Sequence, residues 1–71
     1  MSERQNGTVK WFDDMKGYGM ITPDTGGDDV FVHLTAVKNS GLKALMPGQN
    51  LSFAIVHEKN RIQAGELRIE E

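Results

Sequence analysis

Two short stretches decide how this chain is read: Lys16–Ile21, KGYGMI, and Val30–Leu34, VFVHL. Successive side chains of a β-strand point to opposite faces of the sheet. The first stretch therefore sends Lys16, Tyr18 and Met20 to one face and Gly17, Gly19 and Ile21 to the other. The second sends Val30 and Val32 one way, Phe31 and His33 the other. Ile21, Val30 and Val32 suit a core. Tyr18 and Phe31 stand on the opposite face, so the rings are either covered by something else in the chain or exposed for a purpose.

Further strands lie on both sides of these two. Residues 7–13, GTVKWFD, are β-branched and aromatic and read as a strand, and DDMK at 13–16 reads as a tight turn. The second strand spans 16–22 and ends at Pro23; PDTGGDD is a hairpin loop, and a third strand covers 29–33. Three strands joined by short turns form an antiparallel meander. Residues 34–48 are a long connection with one helical turn at Thr35–Lys38, closed by the Pro-Gly turn in MPGQ. Residues 49–57 alternate Leu51, Phe53 and Ile55 against polar or small neighbours; after the turn EKNR, residues 62–70 place Leu67 and Ile69 on one face. Five short strands with a long link after the third predict an all-β fold, a five-stranded antiparallel β-barrel of the OB type. The expected core is Val9, Ile21, Val30, Val32, Val37, Leu51, Ile55, Leu67 and Ile69. Gly17 and Gly19 are expected on the inner face of strand two, where they let the barrel bend shut.

Seventy-one residues make a single domain, 1–71, near the size at which one core suffices for folding. Cysteine is absent, which removes a disulfide framework and Cys-based zinc sites. The polar start MSERQN lacks the apolar run of a signal peptide, and no stretch approaches the length of a membrane span. A cytoplasmic protein with no membrane partner is the expectation. Net charge is −2, mildly unfavourable for a phosphate binder. Screening confines each charge to about 8–10 Å, so local distribution matters more than the sum. Lys10 and Lys16 sit among the aromatics, whereas acidic residues collect at Asp13–Asp14, Asp24–Asp29 and the C-terminus.

The outer face thus carries Tyr18, Phe31 and His33, rimmed by Lys10 and Lys16. Bases stack on aromatic rings for roughly 1–3 kcal/mol each while amines follow the phosphates, so this is the pattern that single-stranded nucleic acid needs. The structural alternative is a Tyr18–Phe31 cross-strand pair that stabilises the sheet by up to about 1 kcal/mol. Other chemistry is poorly supported. His33 and His57 are far apart with no cysteine between them, so no metal or other cofactor is expected. DTGGDD lacks the Glu-terminated spacing of an EF-hand loop. No serine or threonine has a histidine at a suggestive spacing, and no phosphate-binding Gly-rich loop is present, so the chain is not expected to be an enzyme.

KGYGMI and VFVHL resemble the two RNA-binding motifs of the bacterial cold-shock domain. GTVKWF, ITPD and PGQNLSF resemble the same family in order and spacing, so the resemblance spans about residues 6–69. It implies an OB-type barrel that binds single-stranded RNA and DNA and acts as an RNA chaperone, often in the cold. It also implies that Lys10, Trp11, Phe12, Lys16, Tyr18, Phe31 and His33 take the family's binding positions, with Asp29, Lys59 and Arg61 as further candidates. Met20 and Leu34 stand where the motifs usually carry Phe, Leu42 where a loop aromatic is usual, and the Gly-Pro ahead of the last strand is missing. These departures imply reduced stacking capacity at Met20, Leu34 and Leu42. Strict alternation from Val9 turns Trp11 inward and Lys10 and Phe12 outward, whereas the resemblance puts Trp11 on the binding face. A bulge or bend in strand one reconciles the two. A monomer is expected, with a strand-swapped dimer as the alternative. The competing function is a barrel whose apolar outer face, with Met20, Leu34 and Leu42, binds a protein partner.

Overall fold

The computed structural model describes residues 4–58 and 61–70, excepting the side chains of Glu58 and Arg61. Its strands are β1 (Arg4–Asp13), β2 (Tyr18–Pro23), β3 (Val30–His33), β4 (Asn50–Glu58) and β5 (Arg61–Ile69), with one helix, α1 (Leu34–Asn39), between β3 and β4. They close into a barrel in the order β1-β2-β3-β5-β4. This is the expected all-β OB-type architecture, with one seam that is not antiparallel: β3 runs parallel to β5, with Phe31 opposite Gln63. The connection through α1 and β4 returns the chain to β3 in the same direction, which fixes that sense.

The barrel interior holds Val9, Ile21, Val30, Val32, Val37, Leu51 and Leu67, all expected there. Each such burial stabilises the fold by about 1.5–3 kcal/mol. Ile55 and Ile69 are half-buried against this core rather than inside it. Phe53, which alternates in phase with Leu51, is the largest fully buried side chain and was not among the expected core residues; Leu45, Ala54 and Ala64 are buried as well. Val37 reaches the core from α1.

Several sequence expectations need correction. Gly17 is not on the inner face of β2; it precedes the strand, in a turn whose Asp13 carbonyl accepts from the Gly17 N–H at 2.8 Å. Gly19 is on the inner face as expected, and it is required there. A Cβ at Gly19 would collide with the Trp11 carbonyl oxygen and lie 2.7 Å from Phe12 Cδ1. Leu34 and Leu42, expected on the outer surface, are half-buried against the core. For Leu42 the cause is the end of α1. Gly41 (φ 81°) donates to the Lys38 carbonyl at 3.0 Å, and Leu42 donates to that of Val37 at 3.0 Å. This left-handed helix stop carries the residue after the glycine back over the helix and onto the core. Leu34 is held because its N–H donates to the Gly17 carbonyl at 2.8 Å, tying the start of α1 to the β1–β2 turn.

The pairing of β5 carries an irregularity. Its register with β4 shifts between Ser52 and Ala54, and Glu66 adopts φ 47° there. The left-handed region costs an L-residue about 1–2 kcal/mol, less for Asn, whose short polar side chain bonds locally. Glu66→Asn is therefore expected to raise stability by about 1 kcal/mol. A urea titration would register this as a higher midpoint at unchanged slope; an unchanged or lower midpoint would mean that the Glu66 side chain compensates its backbone.

Candidate functional site

The face outside β1, β2 and β3 is built by their register. Val9 pairs with Ile21, but the next pair is Trp11 with Met20, so Lys10 is an extra residue in β1. This bulge is the device that strand one needed. The Val9 backbone turns away from β2 at this point: its N–H donates to Gln49 at 2.9 Å, and its carbonyl accepts from Gly48 at 2.8 Å. With one residue inserted, Val9 points inward while both Lys10 and Trp11 point outward. Trp11 is 38% exposed. Phe12, opposite Gly19, then falls on the inner side and is half-buried against the core, so its outward placement by strict alternation is corrected.

Two rows of side chains cross the outer face. Trp11, Met20 and Phe31 are successive partners in one row; Asp13, Tyr18 and His33 are partners in the next. The rings meet on the diagonals between rows. Tyr18 stacks on Phe31 with centroids 5.6 Å apart and planes inclined by 22°. Trp11 and Tyr18 meet in a T-shaped contact with centroids 5.5 Å apart, and Phe31 lies 6.4 Å from the His33 ring. Tyr18 and Phe31 are half-exposed, and His33 is exposed. The cross-strand pairing considered from sequence is thus real, and it leaves ring surface open to solvent. Such a pair contributes roughly 0.5–1.5 kcal/mol beyond burial.

The Phe31–His33 end of the strip is anchored by α1. His33 is the N-cap: its Nδ1 accepts from the Thr35 N–H at 3.0 Å. An imidazole nitrogen that accepts carries no proton in the neutral ring, so the proton sits on Nε2. Beside it the β1–β2 turn is held by Asp13, whose Oδ1 accepts from the Met15 N–H at 3.0 Å and the Lys16 N–H at 3.1 Å. Lys16 is exposed beside it.

The charges of the face are less free than the sequence suggested. Lys10 donates to Asp29 Oδ2 at 3.0 Å, and Thr22 donates to Asp29 Oδ1 at 3.1 Å. The Lys10 hydrogen bond first, then the Thr22 hydroxyl and the charge of Lys10, hold the Asp29 carboxyl below its usual value. The pair is therefore intact at neutral pH and is lost only as pH falls through that lowered value. This pairing joins residues 19 apart, and nothing short of the register reveals it. Asp29 was a lesser candidate from the sequence; the structure joins it to Lys10. Lys59 and the Arg61 side chain lie outside the described residues. Of the other candidates, Lys10, Trp11, Tyr18, Met20, Phe31 and His33 share the outer face, Lys16 sits at its edge, and Phe12 and Leu34 lie half-buried at its margins.

Comparison with known proteins gives the family. The family described as the 'Cold-shock' DNA-binding domain matches residues 5–69. The major cold shock protein CspA of Pseudomonas aeruginosa is 49% identical over 69 residues, 97% of this chain and 99% of that protein. Cold shock protein CapA of Pseudomonas fragi is 53% identical over 64 residues, 90% of this chain and all of that protein. Cold shock protein CspV of Vibrio cholerae is 43% identical over 67 residues, covering 94% and 96%. With the family matched over residues 5–69 and relatives about half identical over nearly the whole chain, the chain belongs to the cold-shock domain family.

Proposed function

We propose that this protein binds single-stranded RNA and DNA by stacking bases on the strip Trp11–Tyr18–Phe31–His33, and that it works as an RNA chaperone of the cold-shock type. One observation carries the reading: four rings in mutual contact cross three strands on one face and remain partly open to solvent. Stacking tolerates any base, because every base has a π-face, so the strip suits single strands of mixed sequence. A duplex keeps its bases stacked internally and offers the strip nothing. Met20 supports a reduced stacking capacity. It lies between Trp11 and Phe31 in its row and brings a thioether where a ring would extend the platform.

Oligothymidine is expected to quench Trp11 fluorescence, with duplex of equal length doing far less. Lys16 has no ion-pair partner among the described residues, and Lys10 is shared with Asp29. With two or so phosphates neutralised at about −0.7 each, log affinity should fall against log salt with a slope of about −1 to −2. Equal binding of duplex would defeat the reading, and a slope of zero would favour an apolar protein partner.

Phe31→Ala and Tyr18→Ala are each expected to weaken oligothymidine binding by about 1–3 kcal/mol while the barrel stays folded. Met20→Phe should tighten it several-fold. This single change is the clean probe of the missing rings, because Leu34 and Leu42 contact the core. Isothermal titration with parallel melting curves checks both directions.

Asp29→Asn releases the Lys10 ammonium while keeping an acceptor for Thr22. The expected result is tighter binding at low salt and a salt slope steeper by up to about 0.7. Unchanged slope would mean that Lys10 does not reach phosphate.

A further inference from the structure

A groove of about 460 Å³ opens at the His33 end of the strip. One wall is α1 and its cap, with His33, Asn39 and Ser40; the other is β5, with Ala64, Gly65 and Glu66. His33 belongs to both the strip and the groove, so a strand stacked on the rings continues into it. The volume lies within the range of about 300–1,000 Å³ typical of small-molecule clefts and admits a nucleoside.

The lining decides what enters. Among the described residues the lining contains no lysine or arginine, and its one carboxylate is that of Glu66. A phosphate is therefore disfavoured and a hydrogen-bond donor favoured. The floor at Ala64 and Gly65 is buried and small. Ser40 is already committed, donating to the Ala36 carbonyl and accepting from the Leu67 N–H, both at 2.8 Å, which fixes the wall that it belongs to. Glu66 is held in place by its backbone: its carbonyl accepts from Arg4 Nη2 at 2.8 Å, and its φ of 47° is a conformation that a glutamate enters only at a cost. Its carboxylate forms no ion pair among the described residues. Strained residues held by their surroundings cluster at ligand sites, and here the strained residue, Glu66, lines a cleft beside the ring strip.

We propose that this groove takes the nucleotide next to the stacked bases and selects guanine there. The inference rests on the single-strand reading of the face. A carboxylate only accepts hydrogen bonds. Guanine presents two neighbouring donors on its Watson–Crick edge, N1–H and the 2-amino group, which meet the two carboxylate oxygens side by side. Adenine and cytosine present one amino group. Thymine and uracil present an N3–H between two carbonyls that a carboxylate repels. Such edges are open to reading only in unpaired nucleotides. The Asn39 amide, exposed on the opposite wall, offers an N–H to the guanine O6.

The test is a set of seven-residue thymidine strands in which one guanine is moved through every position, titrated by Trp11 quenching. In the native chain, a position at one end is expected to bind at least threefold tighter with guanine than with thymine. Inosine at that position, which lacks the 2-amino group, should forfeit most of the gain, and Glu66→Gln should abolish it. In NMR spectra, the amides of Asn39, Gly65 and Glu66 should shift more with the guanine strand than with the all-thymine strand. The inference is overturned if no position prefers guanine, or if the preference survives both inosine and Glu66→Gln, since it then reports stronger stacking alone. If Glu66→Gln melts prematurely, the inosine comparison on the native chain decides by itself. Failure of the all-thymine strand to quench Trp11 overturns the single-strand reading itself, whereas quenching without guanine preference overturns only this inference.

Discussion

The contact on which the outer face depends is the approach of the β1 backbone to Gly19. Past the bulge at Lys10, Phe12 crosses over β2 so closely that the Trp11 carbonyl and the Phe12 backbone occupy the space of a Cβ. Only glycine permits that approach. Because it exists, Phe12 closes over the core while Trp11 turns out to face Tyr18. Without the extra residue, a strictly alternating β1 would bury the tryptophan and split the ring strip at its first member. One inserted residue and one missing side chain together set which aromatic is structural and which is displayed.

The displayed rings stabilise the sheet as well as forming the face proposed to meet the ligand. Tyr18 touches both Trp11 and Phe31, so each ring is oriented by its neighbours. Rings held this way lose little conformational freedom on binding, which lowers the entropic cost of association. The same economy appears at His33, whose ring ends the strip while its Nδ1 caps α1. The face is weakly charged by comparison. Asp29 and Thr22 hold the Lys10 ammonium in place, so stacking rather than charge is the main attraction this surface offers. That is consistent with a net charge of −2 in a protein read as a nucleic-acid binder.

The helix is short, yet it positions several parts of the molecule. Leu34 is tied to the β1–β2 turn, Val37 enters the core, and the Ser40 hydroxyl bridges to β5 at Leu67. The stop at Gly41 folds Leu42 inward. These contacts hold α1 beside the parallel β3–β5 seam. The cleft lies between the helix and β5, over the small residues Ala64 and Gly65.

The sequence by itself determined the five strands, the barrel they close and most of the core, because a period of two in hydrophobicity survives any small error in register. It also determined the members of the outer face on β2 and β3, Tyr18, Met20, Phe31 and His33, where alternation is uninterrupted. Tertiary structure decided the rest. A bulge breaks the period of two, so alternation alone could not place Trp11 and Phe12; the family resemblance did so for Trp11. Gly17 looked like a strand residue because the turn's hydrogen bonds to Asp13 are invisible in residue type. Leu42 looked like a surface loop residue because only the helix stop at Gly41 reveals that the chain doubles back. The Lys10–Asp29 pair, the parallel seam and the groove at Glu66 join segments distant in sequence. Such partners are chosen when the barrel closes, since closure alone sets which strands become neighbours and in what register.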